Sequence, residues 1–240
     1  MVVLPDDGKF KNVTDKDYVI NGHHGHIQDL AFSPFFDNIL ATASSDCSAK
    51  LWVIPEWGLF ENLDHNKAHS VLKRHTKPVM FCKWNPQVNF TLATTSMDQL
   101  VKIWNIDHSK ETYSMHLSSN PWSLEWNHDG QILSCITKDK SMYLVDPRTK
   151  GKGLWIQSMM PPQKSIKMKW LGNTGKMVIL SSNSDNSGRS IKIYDMRSFL
   201  SGPVLERRLD NHSYDSDIHY VPEFNLLFVI NRGQTFFQYF

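Results

Sequence analysis

A chain of 240 residues, 40% hydrophobic and 21% charged, can bury a sizeable core and is too apolar to be disordered. A net charge of +2, with no run of five like charges, gives no electrostatic case for nucleic acid or for an anionic membrane. No apolar run nears the roughly 18 residues of a membrane helix, and the acidic start MVVLPDDGKF does not read as a signal peptide. Cys47, Cys82 and Cys135 are odd in number and far apart, each within an apolar segment. They read as buried free thiols in a reducing compartment, so a cytoplasmic protein without a disulfide frame is expected.

In chain order, the first clear unit is His23 to Trp52, HHGHIQDLAFSPFFDNILATASSDCSAKLW. It repeats without a gap as His75 to Trp104, HTKPVMFCKWNPQVNFTLATTSMDQLVKIW. His23 falls on His75, Ser44 on Ser96, Asp46 on Asp98 and Trp52 on Trp104. A third copy, His116 to Val145, again sets an acid, Asp139, 23 residues after its histidine, with Thr137 at the serine position and Val145 at the tryptophan position. The acids are spaced by 52 and then 41 residues, so the second copy follows an inserted loop, near Asn62 to Ser70. Each copy divides into short alternating runs (IQDLAF, ILATAS, AKLWVI) broken by Ser-Pro, Asn-Pro or Ser-Asp turns. Such runs predict strands of about five residues joined by hairpins. SIKMKW, MVILSS and IKIYD supply a fainter fourth copy, and DIHYV, NLLFVI and TFFQYF a fifth. Three antiparallel strands and a linking fourth, repeated every 40–50 residues, make the blade of an all-β propeller of WD-repeat type. The expected blades span 21–60, 71–106, 114–148, 160–198 and 205–240 within a single propeller domain, an incomplete ring of about five blades.

The repeated histidine, serine and aspartate invite comparison with a hydrolytic triad. The repetition argues against it, since an enzyme needs one such set. In a WD-type blade the indole N–H donates to the serine, the serine to the histidine, and the other imidazole N–H to the carboxylate. The residues expected to form these structural networks are His23, Ser44, Asp46 and Trp52; His75, Ser96, Asp98 and Trp104; and His116, Thr137 and Asp139. No catalytic residue, metal ligand or cofactor is expected. Gly22-His23-His24-Gly25-His26 has histidines enough for a metal, but His23 belongs to the repeat. Asp210, His212, Asp215, Asp217 and His219 lack a regular ligand spacing and read as a solvated turn. Gly151-Lys152-Gly153 and Gly172-Asn173-Thr174-Gly175 lack the full phosphate-loop pattern.

Several stretches carry a narrower likeness. Ser33 to Leu59, above all Ile54-Pro55-Glu56-Trp57-Gly58-Leu59, resembles the exit from the second blade of coronins, the actin-associated WD-repeat proteins. Asp139-Lys140 with Val145-Asp146-Pro147-Arg148 resembles the third of these coronin repeats. Val2-Val3-Leu4-Pro5 with Gly8 is similar to the end of the coronin first blade, which sets residues 1–20 as the end of such a blade. Ser184, Ser187 and Arg189, then Pro222, Gly233 and Tyr239, are similar to later coronin positions, although Gln234 stands where the family has an aspartate. The resemblance implies a fragment or truncated form, the strands opening blade one and blade seven being absent, of single- or tandem-propeller type. It also implies a non-enzymatic scaffold that binds filamentous actin, organises the actin cytoskeleton and is cytoskeleton-associated. A WD-repeat adaptor that presents substrate or cargo in a multiprotein complex is the alternative. Partners of WD propellers meet the loops that lead into each blade and the turns before the third strand. That reasoning nominates His26, Ser45, Lys77, Met97 and Lys138 as partner-binding residues.

Overall fold

Alternating apolar and polar residues form half-buried strands because successive side chains point to opposite sheet faces. The computed structural model describes residues 18–59, 61–149, 154–157, 163–183, 188–210, 216–231 and 237–239, and places a strand on each run picked out above. Among these residues the only helical segments are single 3-10 turns. The expected features at Val2 to Gly8, and at Ser184, Ser187 and Gly233, lie outside the described residues.

The chain divides into two compact units, Met1–Trp84 with Phe90–Thr112, and Asn85–Asn89 with Tyr113–Phe240. In the first, β1 (Ile20–Asn21) pairs in parallel with β5 (Leu63–Asp64), which lies in the inserted loop. Strands β2 (Ile27–Phe32), β3 (Ile39–Ser44), β4 (Ala49–Val53) and β6 (Ser70–Leu72) form one antiparallel sheet in that order. Strands β7 (Val79–Trp84), β8 (Thr91–Ser96), β9 (Leu100–Asn105) and β10 (Lys110–His116) form the next. The second unit holds β11 (Pro121–Trp126), β12 (Leu133–Thr137), β13 (Ser141–Val145) and β14 (Leu154–Gln157) in one sheet. Then come β15 (Gln163–Trp170), β16 (Lys176–Asn183), β17 (Arg189–Asp195) and β18 (Leu205–Asp210). Three strands, β19 (Ser216–Val221), β20 (Leu226–Asn231) and β21 (Phe237–Tyr239), close the series.

The linking fourth strand pairs backward in every four-stranded sheet. The expected blade starts at 71, 114 and 205 therefore need correction: β6 pairs with β4, β10 with β9, and β18 with β17. The reason is edge satisfaction, since the third strand of a blade would otherwise expose a row of unpaired backbone groups.

Within each unit, successive sheets pack face to face. Ala41, Ala43, Leu51 and Leu72 of one sheet meet Val79, Cys82, Trp84 and Leu92 of the next in a single cluster. Polar clamps accompany this packing. Asp29 accepts the Cys82 backbone N–H at 3.1 Å, and the Trp84 indole donates to the Ala31 carbonyl at 3.0 Å. The second unit repeats the scheme: Ser123 Oγ accepts the Met168 N–H at 3.3 Å, and the Trp170 indole donates to Ser134 Oγ at 3.0 Å. Arg189 is buried, paired with Asp210 and hydrogen-bonded to Ser216. Cys82 and Cys135 are buried free thiols whose pKa burial pushes far up. Cys47 departs from the expectation: half-buried, it sits in a turn at φ 66° and not within a strand.

Candidate functional site

The two full repeats build the same network. His23 Nδ1 lies 2.8 Å from Asp46 Oδ2, and His75 Nδ1 lies 2.9 Å from Asp98 Oδ2. The other ring nitrogen reaches a hydroxyl on the second strand of the blade, Thr42 at 2.7 Å and Thr94 at 2.9 Å. The indoles of Trp52 and Trp104 donate to those same hydroxyls at 2.9 and 2.8 Å. The tautomer that satisfies both neighbours has Nδ1–H donating to the carboxylate and Nε2 accepting from threonine.

The hydroxyl in the network is thus threonine, and the expected Ser44 and Ser96 are corrected to Thr42 and Thr94. Register gives the reason. Trp52 lies opposite Leu40 and Trp104 opposite Leu92. Ser44 is four residues further along its strand, about 13 Å away, whereas Thr42 is two residues away, about 7 Å, which an indole spans. The serines serve the turn instead. Ser44 Oγ accepts the Asp46 N–H at 3.2 Å, and Ser96 Oγ accepts the Asp98 N–H at 3.1 Å. Ser96 also donates to the Lys77 carbonyl at 2.8 Å.

In the third repeat His116 is exposed at the end of β10 and does not join Asp139. Ser118 takes its place, donating to Asp139 at 2.5 Å, and Thr137 donates to the other carboxylate oxygen at 2.5 Å. The threonine position carries Cys135 and the tryptophan position Val145, so the hydroxyl and the indole are lost together.

Each turn aspartate also closes its own loop, accepting the backbone N–H of Ser48 at 3.0 Å, Leu100 at 3.0 Å or Ser141 at 3.3 Å. The residue after it is left-handed every time: Cys47, Gln99 and Lys140 at φ 66°, 64° and 68°. Burial raises the Asp46 pKa, but hydrogen bonds from Ser48, His23 and the His24 N–H outweigh it and bring the carboxyl down to about 2. Burial lowers the pKa of both His23 and His75 against the pull of their aspartates, which keeps both rings neutral near pH 7.

The leading loops are stitched to the turns through backbone: Ser45 N–H to the His26 carbonyl at 2.9 Å, Met97 to Pro78 at 3.0 Å, and Lys138 to Asn120 at 2.8 Å. His26, Lys77, Met97 and Lys138 are exposed there. Ser45 is only half-buried surface, pressed against Gly25, where an added Cβ would meet Ser45 Oγ at 2.4 Å. Lys138 belongs to the second unit. Sequence reasoning passed over two cations, Lys73 and Arg74, which are exposed in the same loop as Lys77. The charged run Lys73-Arg74 directly before a repeat histidine was the available signal. Groupings of three or more metal-ligating side chains are absent among the described residues, and no described helix is long and apolar enough to cross a membrane.

Comparisons with known proteins bear on this arrangement. The family model "WD domain, G-beta repeat" matches residues 15–53 and 66–105. Coronin-2A of Homo sapiens is 27% identical over 226 residues, covering 91% of this chain and 42% of its own length. Coronin-7 of Homo sapiens is 26% identical, covering 87% of this chain and 22% of its own length. The crystal structure of the WD40 domain of Toxoplasma gondii coronin superposes with a TM-score of 0.82 at 28% identity, covering 91% of this chain and 56% of that one. The chain therefore spans less than half the length of these curated relatives.

Proposed function

From the premise that this chain is a WD-repeat homologue of the coronins, we propose that it is a non-enzymatic protein-binding scaffold whose partner is the actin filament. The observation that carries the reading is the exposed cationic loop Lys73-Arg74 with Lys77, hydrogen-bonded through its backbone to the turn that presents Met97. A pinned loop loses little conformational entropy on binding, and three clustered cations attract an acidic surface. Met97 supplies apolar contact beside them. The His75–Asp98–Thr94–Trp104 network holds this end of the blade in place, so its chemistry is spent on structure. Association with the cytoskeleton follows from the same reading.

Co-sedimentation with actin filaments at low salt tests it. The chain is expected to pellet with filaments, and the Lys73→Glu/Arg74→Glu/Lys77→Glu variant to lose most of that binding, with a steep decline as salt is raised. Pelleting that survives the charge reversal, or none by the unaltered chain, overturns the filament reading and favours an adaptor in a different complex.

A further inference from the structure

The first unit has a second surface of definite chemistry at the other end of its blades. The hairpin from Ser33 to Asn38 joins β2 to β3 there, and the chain after β4 comes alongside it, Ile54 N–H donating to the Asn38 carbonyl at 2.8 Å. Between the two sheets lies a cavity of about 80 Å³ floored by Ile39, Leu51 and Ile106. Phe36 forms its lip, stacked on Phe90 with ring centroids 5.6 Å apart, yet still 38% exposed. Phe35 is 41% exposed and Trp57, on the adjoining loop, 86% exposed. Three large aromatics left in water at one end of a unit are the composition of a binding hot spot.

Ser33, His69 and Asp107 also line the cavity, but they are no nucleophilic relay. Ser33 Oγ accepts the Phe35 and Phe36 N–H groups at 3.2 and 3.3 Å, and no side-chain hydrogen bond among the described residues joins it to His69. The charges around the mouth are acidic. Asp37 follows Phe36, Glu56 precedes Trp57, Asp107 lies on the rim with His108 Nε2 3.7 Å from its carboxylate, and all three acids are exposed. The neighbouring lysine, Lys67, is engaged by Glu61 at 2.7 Å.

The geometry points to a docking site for a short peptide segment of a partner protein, with one aliphatic side chain in the cavity and an adjacent lysine or arginine facing Asp107 and Asp37. Size selects the anchor, because a cavity of about 150 Å³ is what holds a benzene ring, and this one is about half that. The acidic rim selects the cation. The site stands apart from the filament reading, using the opposite end of the blades.

The test is to pan a displayed library of random seven-residue peptides on the full chain, then measure each enriched peptide on Asp107→Lys, Phe36→Ser and Lys77→Glu variants. Enriched peptides are expected to place Leu, Ile, Val or Met beside Lys or Arg. They should bind Asp107→Lys and Phe36→Ser at least tenfold more weakly and Lys77→Glu within twofold of the unaltered chain. Should Phe36→Ser fail to fold, Asp107→Lys carries the test, since that side chain is exposed. No enrichment, enrichment of acidic or purely aromatic peptides, or indifference to Asp107→Lys overturns the proposal. Failure of Lys77→Glu in co-sedimentation alone bears only on the filament surface.

Discussion

Thr94→Val isolates the hydroxyl on which the second network turns. Thr94 is fully buried, accepts the Trp104 indole at 2.8 Å and lies 2.9 Å from His75 Nε2. Valine keeps the shape and the β-branch but leaves a buried donor and a buried acceptor without partners. Each stranded group costs about 1–3 kcal/mol, so a loss of about 2–6 kcal/mol is expected. Ser96→Ala also removes two hydrogen bonds, at 2.8 and 3.1 Å. Both are only partly buried and go to backbone groups, not to another buried side chain, so its cost should be smaller, about 1 kcal/mol. Urea unfolding followed by tryptophan fluorescence measures both through the shift in midpoint at constant slope. A Ser96→Ala variant as unstable as Thr94→Val would refute the assignment of the network to threonine.

Further outcomes follow from the same geometry. His75→Ala should lower the melting temperature by several degrees and His108→Ala by almost nothing, because the His75 side chain is buried in the network while that of His108 is 73% exposed; equal melting temperatures would contradict this. Stability should fall in acid. His23 and His75, with lowered pKa, contribute fully above their unfolded value of 6.5 and lose that contribution as pH drops below it, and Asp46 loses its share from 3.8 down toward about 2. A urea midpoint that is flat from pH 7 to 4 would contradict that sign. Gln99→Gly should be neutral or stabilising by up to about 1 kcal/mol, since φ 64° strains an L residue, and Gln99→Val should destabilise. The reverse order in thermal melts would show the turn to be unstrained.

The repeat made the strands legible because its two clear copies align without a gap and the alternation of apolar residues decides which face is buried. The networks were half legible. A constant 23-residue spacing from histidine to aspartate identifies that pair in the first two copies, and the structure brings both pairs together. The hydroxyl was misread because Ser44 and Ser96 recur in register just as Thr42 and Thr94 do, and recurrence does not say which one faces the indole. Only the pairing of Trp52 with Leu40 separates them. His116 kept the spacing but not the role, since Ser118, two residues on, reaches Asp139 in its place. The aromatic end of the first unit was invisible as a site. Phe35 and Phe36 lie in one turn and Trp57 in a loop about twenty residues on, and they share one end of the unit only because the chain after β4 returns to the hairpin, Ile54 N–H donating to the Asn38 carbonyl.

The fading of the pattern along the chain has an energetic reading that also yields a test. Losing one partner of a buried hydrogen bond is costly, whereas replacing both by apolar groups of similar shape is nearly neutral. The third repeat has made the double change, Cys135 with Val145, and the fourth carries Ile179 with Tyr194 at the same positions. The networks of the first unit are therefore not required for a blade to form. They stand where the leading loops carry Lys77 and His26, which fits retention for holding that end rigid. The corresponding experiment is a double-mutant cycle in the second blade of the first unit, with Thr94→Val, Trp104→Phe and the pair. Trp104→Phe leaves Thr94 one donor short, and Thr94→Val strands the indole, but the double variant strands neither of these two groups. Its cost should fall below the sum of the singles by about 1–2 kcal/mol, with the stranded His75 Nε2 common to both threonine variants. Strict additivity would mean that the indole and the hydroxyl, 2.8 Å apart, are not energetically coupled, and the network would then be a by-product of packing.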